Sequence, residues 1–207
     1  MATTSKASSV ILAGGISRRL GRDKALVKVG GIPLICRVMD RMNEFARETV
    51  VVVNTFDRIR ELPLPKAVIP AVDIYPDAGA LGGIYTGISE SKEEWSFVFS
   101  CDMPFINLEL LRFMLSVKKG FDIVVPLVDG RPEPTHALYN KSCLSHIQQR
   151  IEESDLKITN FFRTVRVMYL SDEDLDRIDP ERQSFFNINT QEDLDLANQI
   201  SNNYRRV

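Results

Sequence analysis

The feature that most constrains the fold is an alternation of short apolar runs with amphipathic ones. Runs rich in Val, Ile and Phe stand at Ser9–Ala13, Thr49–Asn54, Ala67–Pro70, Ser96–Ser100, Asp122–Val125 and Val165–Tyr169. His136–Tyr139 is a weaker seventh. Apolar runs of this length suit strands that are covered on both faces. Between them lie helical patterns at Pro33–Ala46, Gly83–Ser91, Leu108–Val117, Ser142–Ile151 and Gln191–Ile200. In the first of these a proline stands at the start, and Leu34, Val38, Met42 and Phe45 recur at helical spacing. The alternation predicts an α/β fold, a three-layer αβα sandwich with a mostly parallel sheet. In such sheets ligands sit outside the carboxyl ends of the strands.

Composition narrows the classes. The 207 residues suit one domain over 9–207 with a sizeable core, after a loose tail over 1–8. A net charge of −2 argues against nucleic-acid binding through a broad basic face. No apolar run reaches membrane-spanning length, and the first nine residues carry no apolar signal core. Cys36, Cys101 and Cys143 are widely spaced and odd in number. They fit neither a disulfide framework nor a zinc site, and they suit a reducing cytoplasm. Leu62–Lys66, with two prolines, reads as a connector. Ser171–Glu181 reads as an acidic, solvated loop.

The strongest chemical signal runs from Leu12 to Leu26. Gly14 and Gly15 follow the first apolar run and leave no Cβ between their backbone N–H groups and an anion. Arg18, Arg19, Arg22 and Lys24 bring positive charge to the same place. The spacing matches neither a Walker loop nor the dinucleotide fingerprint.

Four further segments carry candidate groups. Asp102, in Ser100-Cys-Asp-Met-Pro104, directly follows an apolar run. It either caps a turn before Pro104 or faces the ligand crevice. Asp73 precedes Gly79-Ala-Leu-Gly-Gly83, glycines that allow close backbone approach to a base or ribose. Asn54 ends the Val50–Val53 run. Asn187 and Asn189 stand on alternate residues of Phe185–Leu194 and project the same way if that segment is extended. Thr190 and Asp193 have capping-box spacing for the last helix.

The form Leu-Ala-Gly-Gly-x-Ser-x-Arg-x-Gly-x-Asp-Lys, with Cys-Asp-x-Pro and Asn-x-Asn-Thr in the same order, resembles the molybdenum cofactor guanylyltransferase family. Leu20 replaces the family's usual methionine, and Ala80 and Gly82 depart from its Gly-Pro-Leu-Ala-Gly pattern. The resemblance spans Val10 to Ala197 and implies a Rossmann-like nucleotide-diphospho-sugar-transferase fold. It implies that Leu12, Ala13 and Gly14 line the base and ribose, and that Gly15, Arg19 and Lys24 contact phosphates. Asn54, Asp73 and Gly79 are further nucleotide contacts, with the Asp73 carboxylate accepting from guanine N1 and N2. Asp102 is the ligand of Mg²⁺, a hard cation that takes one or two carboxylates plus phosphate oxygens and water. The resemblance implies that Asn187 and Asn189 make acceptor or metal-water contacts, and that Arg131 and His136 lie in a segment bordering the acceptor pocket, where the pterin would sit.

The implied reaction uses GTP and molybdenum-loaded molybdopterin as substrates, with Lys24, Arg19 and Asp102 as its catalytic groups. It also implies transient contact with molybdenum-insertion proteins or apo-molybdoenzymes. Two alternatives stand beside it. One is a cytidylyltransferase acting on the same acceptor, whose loop is usually Ala-Ala-Gly. The other is a non-catalytic nucleotide sensor, which would be expected to lack Lys24 or Asp102.

Overall fold

The computed structural model describes residues 7–14 and 23–204. Its strands are β1 (Ser8–Leu12), β2 (Lys28–Val29), β3 (Ile32–Pro33), β4 (Thr49–Val53), β5 (Ile69–Val72), β6 (Trp95–Ser100), β7 (Ile123–Val128), β8 (Arg131–Pro132), β9 (His136–Asn140) and β10 (Val167–Leu170). Its helices are α1 (Leu34–Asn43), α2 (Phe56–Glu61), α3 (Gly79–Glu90), α4 (Leu108–Val117), α5 (Cys143–Glu152), α6 (Asp172–Ile178) and α7 (Gln191–Tyr204). No helix among the described residues is long and apolar enough to cross a membrane.

The main sheet has the order β10-β7-β9-β6-β1-β4-β5, with β8 paired to β7. β6, β1, β4 and β5 are mutually parallel, as are β7 and β10. β9 runs antiparallel to both β6 and β7. The reversal is local. Asp129 and Gly130, both with positive φ (51° and 71°), fold β7 back onto β8 through a two-residue Asp-Gly turn. The mostly parallel expectation holds.

Successive residues of each strand enter opposite layers. Ile11, Val51, Val53, Phe97 and Phe99 pack with α1, α4 and α6 on one face. Val10, Val50, Val52 and Val98 pack with α3 and α5 on the other. Each fully buried Val, Leu, Ile or Phe contributes about 1.5–3 kcal/mol of transfer free energy. The β-branched runs therefore stabilise central strands only because helices cover both sides.

Two elements differ from the sequence reading. The acidic segment is α6 rather than a loop. Ser171 and Asp174 form a reciprocal capping box, three carboxylates sit in the first turn, and Leu175 is buried. α3 starts at Gly79 rather than at Gly83, so Gly79–Gly83 is its first turn. Two other segments follow the reading more closely. Ala67–Pro70 becomes β5 shifted two residues onward. The proline-bearing connector forms no regular element beyond Leu62, which caps the end of α2.

A third, smaller core joins the two ends of the chain. Val27, Val29 and Leu34 pack against Ile188, Leu194 and Ala197. The Gly30 N–H also donates to Asn198 Oδ1 at 2.8 Å, tying the β2–β3 hairpin to α7.

Candidate functional site

The parallel strands β6, β1, β4 and β5 end side by side, and each is followed by a residue singled out from the sequence. Asp102 follows β6, Ala13 and Gly14 follow β1, Asn54 follows β4, and Asp73 follows β5. The chain order reverses between β1 and β6, so the crevice at this edge is a topological switch point.

At the β6 side, Asp23 starts a short 3₁₀ turn over Lys24–Leu26 by accepting from the Ala25 N–H. Burial of Val27 and Val29 against Ile188 and Leu194 carries this turn toward the carboxyl-terminal segment. Lys24 Nζ then donates to Asp102 Oδ2 at 2.7 Å and to Asn189 Oδ1 at 2.6 Å. The ion pair is largely shielded, with 16% of the Lys24 side chain and 10% of the Asp102 side chain exposed. An ammonium has three donors. These two bonds leave one for a ligand oxygen. Ser100 Oγ donates to the other Asp102 oxygen, and the Ile188 N–H donates to the Asp102 carbonyl at 3.1 Å.

Asn189 is itself held from behind. Asp193 Oδ2 accepts from the N–H groups of Asn189 and Thr190, while the Asp193 N–H donates to Thr190 Oγ1. The Asn189 N–H is the largest influence drawing the Asp193 carboxyl below its ordinary range. Asn187 does something different. Its Nδ2 donates to the Phe185 carbonyl, so its carboxamide folds back on its own segment and does not join Lys24.

On the β4 side, the Asn54 side chain lies flat against Gly14. A Cβ at Gly14 would stand 1.9 Å from Asn54 Oδ1, so only glycine permits this approach. Thr55 caps α2, whose Arg58 pairs with Asp23 Oδ2 at 2.5 Å and with Glu61 at 2.8 Å. The β4–α2 corner thus touches Gly14 with one side chain and Asp23 with another. Gly15 and Arg19 lie outside the described residues.

On the β5 side, Asp73 is buried and its Oδ1 accepts from Thr86 Oγ1 at 2.8 Å and from the Tyr75 N–H at 3.0 Å. Gly79 has φ +58°, ψ −138° with no neighbour near its Cβ position. Its role is a backbone conformation that side chains rarely adopt, which turns the chain into α3. The Leu12 side chain packs over Gly83.

Other candidates fall away from the crevice. His136 is fully buried between Phe99 and Phe185, each ring centroid 5.0 Å away, and neither ring nitrogen has a hydrogen-bond partner among the described residues. Burial lowers its pKa to about 3. It is a neutral core group and touches no pterin from this position. Arg131 is exposed on β8. Cys101 and Cys143 are buried free thiols pushed up to about 12, mainly by burial, and so stay protonated. Cys36 is only partly covered.

Sequence reasoning missed Ser100, Arg58 and Thr86. Ser100 sits two residues from Asp102 and could have been read as a partner for it. Arg58 and Thr86 carry no local signal, because each acts across an element boundary.

The arrangement can hold a polyphosphate between Lys24 and the strand-end backbone, with a carboxylate beside it. Among the described residues no three His, Cys, Asp or Glu side chains cluster as a metal cage. A MobA-like NTP transferase domain matches residues 9–167, most of the chain. The chain belongs to the MobA-like NTP transferase family. Its relatives extend the likeness over the carboxyl-terminal segment. A probable molybdenum cofactor guanylyltransferase of Natranaerobius thermophilus is 37% identical over 94% of this chain and 96% of its own length. A protein of the same printed name from Pelotomaculum thermopropionicum is 35% identical over 97% and 96%. Among solved structures, molybdopterin-guanine dinucleotide biosynthesis protein A of Archaeoglobus fulgidus superposes with a TM-score of 0.83. It is 30% identical, over 95% of this chain and 99% of that one. The 2-C-methyl-D-erythritol 4-phosphate cytidylyltransferase of Thermus thermophilus, 17% identical with a TM-score of 0.68 over 95% and 98%, shares the fold. Members of the MobA-like NTP transferase family are nucleotidyltransferases, and this chain is one of them.

Proposed function

We propose that the protein transfers GMP from GTP to the terminal phosphate of molybdenum-loaded molybdopterin, releasing pyrophosphate and forming the guanine dinucleotide cofactor. The observation that carries this reading is Lys24 Nζ bonded at once to Asp102 and Asn189 at the crevice edge. A phosphate monoester has a second pKa near ~6, so the acceptor is mostly dianionic at neutral pH and needs no general base. The acceptor oxygen bonds to the α-phosphorus as the bond to the β-phosphate oxygen breaks. The obstacle is repulsion between two polyanions. Lys24, Arg19 and the backbone N–H groups of Gly14 and Gly15 offset that repulsion and fix the in-line geometry.

Asp102 is the group that would hold Mg²⁺, with substrate phosphates and water completing its shell. The donor set fits a hard cation held by one carboxylate, since the oxygens of Asp102, Ser100 and Asn189 gather around Lys24 and, among the described residues, no cluster of thiol, imidazole and carboxylate groups offers a softer site. When bound, the cation supplies charge neutralisation at the phosphates. Leu12, Ala13, Asn54, Asp73 and Gly79 take the nucleoside side. Asn187 and Asn189 take the acceptor side. We assign the protein to the cytoplasm, where it would meet molybdenum-insertion proteins or apo-molybdoenzymes transiently.

The test is incubation with each nucleoside triphosphate, Mg²⁺ and molybdenum-loaded molybdopterin, with product mass and pyrophosphate followed. A guanine dinucleotide from GTP alone is expected. A cytosine product, or nucleotide binding without Mg²⁺-dependent pyrophosphate release, would overturn the assignment.

A further inference from the structure

Thr86 stands in the interior of α3, fully buried, where a threonine is a poor helix former and a hydroxyl needs a partner. Its Oγ1 accepts from the Ile74 N–H at 2.9 Å. Its own proton is therefore directed elsewhere, and it goes to Asp73 Oδ1 at 2.8 Å. The Tyr75 N–H adds a second donor to the same oxygen. The Asp73 backbone is also fixed, because its N–H donates to the Val53 carbonyl at 2.8 Å.

The two carboxylate oxygens of Asp73 are thus unequal. Oδ1 is saturated by Thr86 and Tyr75. Oδ2 accepts no hydrogen bond among the described residues and looks toward Gly83. A Cβ at Gly83 would stand 3.9 Å from Oδ2 and 3.0 Å from Leu12 Cδ2. The missing side chain lets Leu12 pack directly on the Gly83 backbone, with Oδ2 beside it. A flat ring that slid over Leu12 would meet an acceptor-only group at its edge.

We infer that Thr86 is a specificity-determining positioning residue: by holding Oδ1 it aims Oδ2 at the N–H donors of the purine edge. This rests on the reading of Asp73 as the base contact. Guanine offers two donors on that edge, at N1 and N2. Hypoxanthine keeps N1–H and lacks the amino group. Adenine presents an acceptor at N1. A carboxylate free to rotate would discriminate less, because both oxygens would share the Thr86, Tyr75 and base donors among several rotamers. A carboxylate with one oxygen pinned presents the other in one place. Sites built to meet a polar group reject analogues lacking it far better than apolar pockets do.

The experiment compares kcat and KM for GTP and ITP in the wild type, Thr86→Val, Thr86→Ser and Asp73→Asn. Thr86→Val keeps the shape and removes the hydroxyl. It is expected to lower the GTP-to-ITP ratio of kcat/KM about tenfold, the worth of one hydrogen bond to a charged group, mostly through KM for GTP. Thr86→Ser keeps the hydroxyl and is expected to restore the ratio. Thr86→Ala, which costs the helix least, serves in place of the valine variant if that one folds poorly. An unchanged ratio in a folded Thr86→Val or Thr86→Ala, with the ratio lost in Asp73→Asn, overturns the role of Thr86 alone. An unchanged ratio in Asp73→Asn overturns the reading of Asp73 itself.

Discussion

The two ends of the crevice are built on opposite plans. The corner around Lys24, Asp102 and Asn189 draws its side chains from segments 78 and 165 residues apart and carries a cation bonded to a carboxylate. The corner around Asp73 and Thr86 spans 13 residues, and its bonded partners are a hydroxyl and a backbone N–H. Under the proposed function the first would manage charge, which a polyphosphate demands. The second would manage direction, which telling one base from another demands. A long-range assembly can be lost by failure of any of three segments, while a local one survives as long as α3 does.

The largest effect is expected where charge is removed. Lys24→Ala and Asp102→Ala should each lower transfer by about 10²–10³-fold, the range seen when one transition-state-stabilising group is deleted. The circular dichroism of the fold should be kept. The double variant should be little worse than either single one, because the pair acts as a unit. Full activity in either single variant would dismantle the phosphate corner.

A smaller effect is expected one contact further out. Arg58→Gln removes the ion pair that holds Asp23, and with it the turn presenting Lys24. KM for GTP should rise about tenfold, as for a charge-assisted bond, with less change in kcat. Asp23→Asn should do the same, and the two together should not add. Additive losses would mean that Arg58 and Asp23 act separately.

Acid should act on the charged corner from beneath. His136 lies between Phe99, which leads into Ser100 and Asp102, and Phe185, which leads toward Asn187 and Asn189. Its pKa falls from the ordinary 6.5 to about 3 through burial. Between these values the unfolded chain binds the proton that the folded one refuses. The stability due to this group is therefore complete above about pH 6.5 and is lost as pH falls toward 3. Thermal melts of His136→Leu should decline less across that window than those of the wild type. Parallel declines would show that other groups govern the acid limb.

The smallest effect separates the corners most cleanly. Raising salt from ~0.05 to ~0.5 M should raise KM for GTP severalfold by screening the phosphate contacts. The GTP-to-ITP ratio should hold steady, since both nucleotides carry the same charge. A salt-sensitive ratio would mean that the base corner also works through charge.

What could be read from the sequence follows from range. Lys24 and Asp102 announced themselves because glycine loops and strand-end carboxylates are local patterns in a fold whose strand ends meet at one edge. The sandwich itself was legible in the Val, Ile and Phe runs, and the Asp129-Gly130 turn explains why one strand among them runs backwards. α6 is masked in the sequence because its run of charges outnumbers its two helix signals, the Ser171–Asp174 cap and the apolar Leu175. The start of α3 at Gly79 is hidden because glycines carry the signal for close backbone approach and are poor helix formers. Asn187 and Asn189 look alike in sequence, yet their bonds differ, since only the position of Lys24 decides which one it meets. Arg58 and Thr86 were invisible because the partner of each lies on another element.

The bond from the Ile188 N–H to the Asp102 carbonyl has a consequence for how this protein comes into being. Ile188 must reach back and stitch itself to the turn that follows β6, made well before it. During synthesis the sheet up to β10 can form before Ile188 and Asn189 are present to pair, giving a body in which Lys24 and Asp102 still lack their third partner. A chain cut short before Phe185 would therefore keep the Lys24–Asp102 pair and lose the Asn189 bond that completes it.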